Sequence, residues 1–438
     1  MANGKQPSNV TQLPTQRQRR PPPPPPPGAS SWYQLLRRDD RGRIIPDLAN
    51  VLIALREETE LLTAMGFNEM KQHSVAMEEW PHARRALPGK PPPHAIEKDD
   101  ISRLQEWLQE KGLARIGKEI VSDAIEVYAR ERPFHPIRDR LNLIEWDGEP
   151  RLATWTHDCL GAPDDEYHRA IGRMFLISMV ARILRPGCKC DYIISLEGPQ
   201  GEEKSKFCRA LAGGDEYFSD SLPPIDGDQV RLSMHLKGKW LVEIAELAAI
   251  LRADPEGIKH FISRQAEDYT PKFGHNPVHE PRQCVFIGTT NDDEYIRDAT
   301  GGRRYWPLVA TGVRVDRLEA MRDQLFAEAV HALHMGEQWW PDREFEKAVI
   351  APIQDDRQWE DAWTPQVGQH IETQTQITIA QLAQLMGIDT VRLDRMVQRR
   401  LADILRKPYG WRKFRSTNGV KVWRSPERSD PSMTHNDP

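Results

Sequence analysis

Short apolar runs alternate with helical patterns through the middle of the chain. Runs that are typical of buried strands lie at residues 192–196, 240–242 and 284–288. Helical patterns lie between them, near residues 204–212 and 255–262. Strands that alternate with helices in this way predict a parallel α/β sheet.

The segments before and after this alternating region have helical spacing instead. Three helices are predicted between residues 46 and 132, and we interpret them as a small helical domain. A longer apolar helix is predicted over about 167–184, because the Pro186-Gly187 pair that follows it ends helices. Leucines at helical spacing between residues 318 and 333 predict a further helix.

Composition restricts the class of protein. The chain has 438 residues, which at roughly 150 residues per domain predicts about three domains. Seven consecutive prolines at residues 21–27 predict a disordered leader, with a ligand for proline-binding domains as the alternative. No apolar run approaches the roughly 20 residues of a membrane span, and the N-terminus lacks the apolar core of a secretory signal. We therefore expect a cytoplasmic protein with no membrane partner.

The cysteines predict neither a disulfide framework nor a zinc site. The chain has 5 cysteines, too few for a framework in a chain of this length. Cys188 and Cys190 form a C-x-C pair, with no second Cys or His pair at zinc-binding spacing. All are expected to be reduced, ordinary cysteines of a cytosolic protein.

A strand, a glycine-rich loop and a helix are predicted around residues 196–205. The loop nearly fits the phosphate-binding pattern G-x-x-x-x-G-K-[ST]. In that pattern the lysine reaches the β- and γ-phosphates of a nucleotide, the hydroxyl holds Mg²⁺, and backbone N–H groups at the helix start cradle the phosphates. The residues predicted to bind ATP and Mg²⁺ here are Gly198, Gln200, Gly201, Lys204 and Ser205.

Glu203 departs from this pattern, which has glycine before the lysine. A carboxylate about 4 Å from a phosphate charge costs up to about 4 kcal/mol at an effective dielectric of about 20, and much less if the side chain turns to solvent. A degenerate nucleotide site therefore stays open as an alternative.

Polar residues follow the next two predicted strands. Glu243 and Glu246 end the first of them, which is expected to lie beside the strand of the phosphate loop, and an acid there can hold Mg²⁺ or polarise water. Asn291 ends the second, where an amide can orient the attacking water or sense the γ-phosphate. The alternatives are solvated strand ends and ordinary turn chemistry.

Two groups of basic residues accompany these strands. Arg303 and Arg304 lie in a glycine-rich loop and are expected to act as an arginine finger on a neighbouring subunit, with a solvated turn as the alternative. Arg264 and Lys272 belong to a run of basic and aromatic residues that suits a surface for single-stranded nucleic acid. Ordinary surface charge is the alternative for this second group.

Taken in order, these motifs resemble the virulence-associated protein E family, which is found in prophages and mobile islands. Segments at residues 134–138 and 146–148 also fit, so the resemblance spans about residues 45–340. The motifs that carry it are Leu196-Glu197-Gly198-Pro199-Gln200-Gly201 with Lys204-Ser205, Lys239-Trp240-Leu241-Val242-Glu243 with Glu246, Ser263-Arg264, Val285-Phe286-Ile287-Gly288-Thr289-Thr290-Asn291 and Gly302-Arg303-Arg304-Tyr305-Trp306-Pro307.

The resemblance implies more than the motifs alone. The family's core is similar to the P-loop ATPase of superfamily 3 helicases and phage primase–helicases. An ATP-driven ring of identical subunits that acts in the replication of a mobile element is therefore implied. Many relatives carry an N-terminal primase domain where this chain has its proline-rich leader, so no priming activity is implied and a separate primase is a candidate partner.

The C-terminal segment has a separate basic pattern. Between residues 392 and 424 there are 11 basic and 2 acidic residues, a charge of +9 in a chain of net charge −5. Two helices, the second from Thr390 to about Leu405, and a hairpin around Asn418-Gly419 predict a winged helix that binds duplex DNA. A solvated helix pair is the alternative. The predicted DNA contacts in this unit are Arg399, Arg400, Arg412 and Lys413.

These observations predict an α/β protein with a P-loop ATPase core of the AAA+ or superfamily 3 type. The predicted function is an ATP-dependent, helicase-like DNA replication protein, and the alternative is a DNA-binding initiation or regulatory protein with a degenerate ATPase site. The expected segments are a disordered leader at 1–45, a mostly helical domain at 46–185, a P-loop core at 186–315, a helical segment at 316–370, a basic winged-helix-like domain at 371–425 and a disordered tail at 426–438.

Overall fold

The chain is a mixed α/β protein with a parallel sheet. The computed structural model describes residues 31–81, 90–201, 203–271, 276–296, 302–359, 361–389, 393–415 and 421–426. These residues form two compact units that divide after Leu143. The division falls inside the segment 46–185, which was expected to be one domain. None of the helices described combines the length and apolar character that a membrane crossing requires.

The first unit packs helices against a small mixed sheet. Its helices are α1 (Leu48–Glu57), α2 (Lys98–Glu110), α3 (Lys118–Arg130) and α4 (Pro136–Leu143), with 3₁₀ turns at Ser31–Leu35 and Thr59–Leu61. Its strands are β1 (Met65–Asn68), β2 (His73–Ala76), β3 (His94–Ala95) and β4 (Pro133–Phe134), in the order β3-β2-β1-β4. The β1–β4 pair is parallel and the other two pairs are antiparallel.

The prediction of a helical domain for this unit is therefore wrong in part. Helices α1, α2 and α3 match the three predicted helices, but the four-stranded sheet was missed. The strands have only two to four residues each, too few to establish a period of two. Helix α3 packs against β1 and β2 and supports their pairing.

The prediction of disorder up to residue 45 is wrong from residue 31 onward. Trp32, Tyr33 and Leu36 are buried in the core of the first unit. The side chain of Asn50, fully buried in α1, accepts a hydrogen bond from the backbone N–H of Arg37 at 2.7 Å and donates one to its carbonyl at 2.9 Å. A buried amide satisfied in this way fixes the preceding segment on the helix. The predicted leader at residues 1–30 lies outside the described residues.

The second unit contains a five-stranded sheet in which every strand pair is parallel. Its strands are β5 (Ile193–Glu197), β6 (Phe218–Ser219), β7 (Leu241–Ile244), β10 (Val285–Thr290) and β11 (Tyr305–Val309), in the order β11-β5-β10-β7-β6, and a separate hairpin joins β8 (Ala266–Tyr269) to β9 (Val278–Pro281). The alternating pattern of the sequence is thereby confirmed as a parallel sheet. One expectation is wrong, because β7 does not lie beside β5 and β10 separates them.

Helices cover this sheet. They are α5 (Trp155–Leu160), α6 (Glu166–Leu184), α7 (Lys204–Ala212), α8 (Gln229–Leu236), α9 (Leu247–Ala253), α10 (Pro255–Ser263) and α11 (Val315–His334). Helix α6 is buried along most of its length and packs against α11, β5 and β10. The indole N–H of Trp240, just before β7, donates to the carbonyl of Met179 at 2.9 Å and so fixes α6 on the sheet.

The C-terminal part of this unit has a small core of its own. Its elements are α14 (Thr364–Ile371), β12 (Gln376–Ile377), α15 (Ile379–Leu385), α16 (Arg395–Arg406), β13 (Arg412–Arg415) and β14 (Lys421–Arg424). Between α11 and this part lie α12 (Arg343–Phe345), a π-helical turn (Glu346–Ile350) and α13 (Ala351–Asp355), which packs against β11. Strands β13 and β14 pair antiparallel, and β12 adds to β14. The predicted turn at Asn418-Gly419 lies outside the described residues.

Two predicted boundaries in this part need correction. Helix α16 begins at Arg395 after the N-cap Asp394, not at Thr390, which lies outside the described residues. The boundary expected at 370/371 falls within α14, whose Val367 and Ile371 are buried in the same cluster as residues of α15 and α16. Helix α14 therefore belongs to the basic C-terminal part.

A buried ion pair joins this later segment to the central sheet. Arg357 donates three hydrogen bonds at 3.2 Å, from its Nε and Nη2, to the carboxylate of Glu197, the last residue of β5, and Tyr295 donates a fourth at 2.9 Å. Burial raises the pKa of the Glu197 carboxyl above its ordinary value, and the hydrogen bonds from Arg357 and Tyr295 oppose that rise. The buried charge of this carboxylate therefore depends on Arg357 and Tyr295 for its compensation.

Replacing this arginine should therefore give a pH-dependent loss of stability. We expect Arg357→Met to lower the free energy of unfolding by about 3 kcal/mol near neutral pH, because it leaves a buried charge uncompensated. The raised pKa of Glu197 makes the folded variant bind its proton more tightly than the unfolded chain, so its stability falls as pH rises. Denaturant unfolding at about pH 5 and about pH 8 measures this effect. The double variant Arg357→Met/Glu197→Gln is the control and should lose the pH dependence; an equal loss at both pH values in the single variant would contradict the account.

Candidate functional site

The predicted phosphate loop lies between β5 and α7, at the carboxyl edge of the parallel sheet. Gly198 and Gly201 have φ angles of +156° and +94°, and Gly201 has open space around the position of a Cβ. Gln200 is exposed on the loop between them. The first turn of α7 contains no acidic residue, so its N-terminal N–H groups form a suitable site for an anion.

The lysine of this loop contacts the loop and the end of β10. The Lys204 ammonium donates to the carbonyl oxygens of Gly198 at 2.6 Å and Pro199 at 2.8 Å. It also donates to the side-chain oxygen of Asn291 at 3.2 Å. The structure thus brings together Lys204 and Asn291, which lie 87 positions apart in the sequence.

A second cluster surrounds the carboxylate of Glu243 at the end of β7. One oxygen of this carboxylate accepts hydrogen bonds from the hydroxyls of Ser205 at 2.9 Å and Thr289 at 2.7 Å. The residue is only 1% exposed, and its other oxygen, Oε2, has no hydrogen-bond partner among the described residues. A buried carboxylate oxygen in this state is suited to a cation or an ordered water.

The sheet order explains how these residues meet. Strand β10 pairs with β5 on one side and with β7 on the other, with Thr290 opposite Glu197 and Ile287 opposite Glu243. Parallel strands end at one edge, so the side chains that follow β5, β7 and β10 converge there. Thr289 was missed by the sequence analysis, because its role depends on β10 lying between the other two strands.

The backbone of Glu203 has an unusual conformation, whereas its side chain lies on the surface. Its φ angle is +54°, in the left-handed region, where it precedes α7 as the N-cap residue. Its carboxylate pairs with Lys206 at 2.9 Å and is about half exposed. The charge therefore points along the helix surface, while the backbone carries the strain of a non-glycine residue in this region.

The other predicted catalytic residues are not part of the contacts around Lys204 and Glu243. Glu246 is exposed, with a φ angle of +50°, and within the described part of the chain it forms no hydrogen bond or ion pair with Lys204, Ser205 or Glu243. Arg303 is exposed in a 3₁₀ turn at Gly302–Arg304. Arg304 donates to the hydroxyl of Ser263 at 3.3 Å.

The predicted nucleic-acid contacts divide into engaged and exposed side chains. Arg264 donates to Gln229 at 2.9 Å and pairs with Glu267 at 3.6 Å. Arg400 binds both carboxylate oxygens of Asp361 at 2.7 Å and lies 3.8 Å from the ring centre of Trp363, which makes it a packing residue of the C-terminal part. Lys272 lies outside the described residues.

The exposed members of this set lie on α16 and β13. Arg399 is 87% exposed and 3.9 Å from Asp403, which also pairs with Arg406 at 2.9 Å. Arg412 and Lys413 are exposed on β13, as are all residues of that strand. Among the described residues, the exposed cations of β13 form no ion pair, whereas Arg399 and Arg406 of α16 share Asp403.

The residues at the sheet edge fit a nucleotide with Mg²⁺. No group of three or more His, Cys, Asp or Glu side chains in the described ranges could hold a metal ion alone. Mg²⁺ in nucleotide sites usually takes one or two protein ligands, waters and phosphate oxygens, so Ser205 and the unpartnered oxygen of Glu243 supply enough.

Comparisons with known proteins give one family and several remote structures. Residues 141–358 match the family described as the virulence-associated protein E-like domain. The A form apo structure of the NrS-1 C-terminal region is 13% identical with a TM-score of 0.44, covering 82% of this chain and 96% of that chain. The apo structure of the NrS-1 C-terminal region is 12% identical with a TM-score of 0.40, covering 82% and 95%. No curated protein matches the chain.

Two substitutions at Glu203 separate the effect of its charge from that of its backbone. We expect Glu203→Gly to raise affinity for ATP by up to about fivefold, because it removes a left-handed strain of about 1 kcal/mol that disfavours this loop conformation. Glu203→Gln should bind ATP like the unmodified chain, since the carboxylate already pairs with Lys206 on the surface. Equilibrium binding of a fluorescent ATP analogue measures both. An equal gain in the two variants would show instead that the charge is the handicap.

Proposed function

Because the chain belongs to the virulence-associated protein E-like family through residues 141–358, we propose that it is an ATP-dependent, helicase-like protein that acts on DNA in the replication of a prophage or mobile element. In this proposal residues around β5, β7 and β10 form a P-loop ATPase. Copies of the chain assemble as a ring, and a basic winged-helix-like part binds DNA.

One observation carries the proposal: the side chains of Lys204, Ser205 and Glu243 converge at one edge of the sheet. Lys204 contacts Asn291, and Ser205 and Thr289 both donate to Glu243. The alternative, that Glu243 is only a solvated residue at the end of a strand, is disfavoured because the residue is 1% exposed. A lysine, a hydroxyl and a buried acid at a helix N-terminus are the parts that bind and cleave a nucleoside triphosphate.

Each side chain has a role in this proposal. The first turn of α7 and Lys204 bind the phosphates, and Ser205 holds the metal ion. When bound, Mg²⁺ neutralises charge on the β- and γ-phosphates. Glu243 orients a water or a metal ligand through its unpartnered oxygen, and Asn291 orients the attacking water. Glu246 is not assigned a role, since it lies outside this cluster.

An arginine finger needs an exposed arginine that can reach a neighbouring subunit. Arg303 is exposed and Arg304 already contacts Ser263, so we assign the finger to Arg303 in a ring of identical subunits. Such a residue stabilises charge on the transferred phosphoryl group and is worth about 10³–10⁵ in rate where it operates.

The decisive experiment measures ATP hydrolysis by the full chain with and without single-stranded DNA. We expect Lys204→Ala to abolish ATP binding and Glu243→Gln to bind ATP but lose about 10²–10⁴ in turnover. The glutamine retains an oxygen for Ser205 and Thr289, so the fold is preserved. Glu246→Gln is the matched control and should hydrolyse ATP like the unmodified chain.

Mixing variants tests the ring. Arg303→Ala subunits mixed with Lys204→Ala subunits should partly restore turnover, because some interfaces then contain an intact loop and an intact finger. Equal turnover for Glu243→Gln and the unmodified chain would contradict the assignment of Glu243, and no recovery in any mixture would contradict a shared site.

A second candidate function rests on Glu203. A residue with a left-handed backbone at the start of α7 favours a protein that binds DNA but whose ATPase site is degenerate, such as an initiation or regulatory protein. The same assay separates the two functions. No hydrolysis by either the unmodified chain or Glu203→Gly would favour the second.

The DNA-binding part of the proposal is supported by charge on the β13–β14 hairpin. Arg412 lies opposite Arg424, and Arg415 lies opposite Lys421, across the two strands. Like charges directly opposite destabilise a strand pair. Phosphate groups between these pairs would remove that repulsion, so the hairpin is suited to bind a nucleic-acid backbone.

The hairpin should therefore determine the salt dependence of DNA binding. We expect the triple variant Arg412→Gln/Lys413→Gln/Arg415→Gln to reduce the slope of log affinity against log salt on duplex DNA by about 3 units, since each lost phosphate contact removes about 0.9. Arg399→Gln/Arg406→Gln is the matched control and should change it by less than about 1 unit, because both arginines pair with Asp403. Fluorescence anisotropy between about 50 and 200 mM salt measures both. An unchanged slope in the triple variant would indicate instead that DNA contacts the region of Arg264.

A further inference from the structure

A buried arginine without a carboxylate partner lies near the end of helix α6. Arg182 is 1% exposed, and no ion pair joins it to a carboxylate in the part of the chain that the structure describes. Its guanidinium donates two long hydrogen bonds, at 3.5 Å, to the carbonyls of Arg282 and Arg264, and its Nε has no hydrogen-bond partner among the described residues. A buried cation needs a counter-charge, which these carbonyls do not supply.

Two cysteines supply the candidate counter-charge. The sulfurs of Cys188 and Cys190 lie 3.8 Å apart in the loop between α6 and β5. A turn places them there, since the backbone N–H of Cys188 donates to the carbonyl of Arg185 at 3.0 Å. Cys188 is partly exposed and Cys190 is buried. The pair was expected to be ordinary, because its spacing shows no metal site.

The charges around this pair favour a thiolate at Cys188. The hydrogen bond from Cys190 lowers the pKa of Cys188, and the charges of Arg182 and Arg185 lower it further. Burial raises the pKa of Cys190 well above its ordinary value, so that thiol keeps its proton. Lys189 and Asp191, which flank Cys190 in the sequence, pair with each other at 3.3 Å.

We propose that Cys188 and Cys190 form an oxidisable dithiol, in which Cys188 is the reactive thiolate and hydrogen peroxide converts the pair into an intramolecular disulfide. The Cys188 thiolate attacks one peroxide oxygen, forming a sulfenic acid and releasing hydroxide. The Cys190 thiol then attacks that sulfur, and water leaves as the disulfide forms. The two thiols lose two electrons in total, and the peroxide gains them.

The other cysteines are unsuited to this chemistry. Cys159, Cys208 and Cys284 are buried, and burial raises the pKa of each of their thiols, to about 12 for Cys159. They provide internal controls within the same chain, because buried protonated thiols react slowly.

Oxidation has a consequence that an ordinary disulfide lacks. Closing the bond brings the sulfurs from 3.8 Å to about 2.05 Å and removes the Cys188 thiolate, whose charge interacts with that of Arg182. The buried guanidinium is then uncompensated, so the oxidised protein should be less stable, whereas most disulfides stabilise a fold.

Thiol mapping tests this proposal without depending on the proposed ATPase. In the reduced full chain, iodoacetamide should modify one cysteine quickly, Cys188, with a midpoint below the pH of about 8.5 at which a free thiol titrates. Mass spectrometry identifies the site and the three slow internal controls. Arg185→Gln, at an exposed position, should move the midpoint to higher pH.

Peroxide treatment tests the bond itself. We expect a disulfide between Cys188 and Cys190 in the digested protein and a melting temperature lowered by a few degrees, reversed by a reducing thiol. Cys190→Ser should instead stop at a sulfenic acid that dimedone traps at Cys188. Ordinary free-thiol reactivity at Cys188, or no disulfide under peroxide, would overturn the proposal. A disulfide that raised the melting temperature would overturn the role of Arg182.

Discussion

The hydrogen bonds of two hydroxyls to one buried carboxylate hold the candidate site together. Ser205 lies in the first turn of helix α7, Thr289 belongs to β10, and Glu243 lies near the end of β7, so the two hydrogen bonds link this helix and the two strands. The carboxylate is nearly inaccessible, and these bonds occupy one of its oxygens. The other oxygen is buried without a hydrogen-bond partner among the described residues, which is the basis for proposing a metal or water there.

The parallel sheet is what makes this interaction possible. Because all five strands run in one direction, their carboxyl ends meet at one edge, and β10 lies between the two strands that carry the loop and the acid. The same edge ends in Glu197, whose ion pair with Arg357 ties the later segment to β5. Glu243 and Glu197 therefore lie near the same edge of the sheet but have different partners: two hydroxyls contact Glu243, whereas a cation pairs with Glu197.

The local hydrophobic pattern predicted the helices and strands, whereas tertiary contacts determine the strand order and the partners of individual side chains. The apolar runs and helical spacing identified β5, β7, β10 and α7, because each is a continuous signal along the chain. The order of the strands, and with it the role of Thr289, depends on pairing between distant segments. Arg400 was predicted to bind DNA from its charge alone, but Asp361, 39 positions earlier, holds it. The short strands of the first unit carry no periodicity that could have revealed them.

A crystal structure with a non-hydrolysable ATP analogue and Mg²⁺ would test the central claim most directly. The account predicts a phosphate group at the first turn of α7 and a metal ion about 2.1 Å from the Ser205 hydroxyl oxygen. It also predicts that the Ser205 hydroxyl leaves Glu243 and that the freed carboxylate contacts the metal or one of its waters. A nucleotide bound elsewhere, or an unchanged Ser205–Glu243 hydrogen bond with phosphates in the loop, would contradict it.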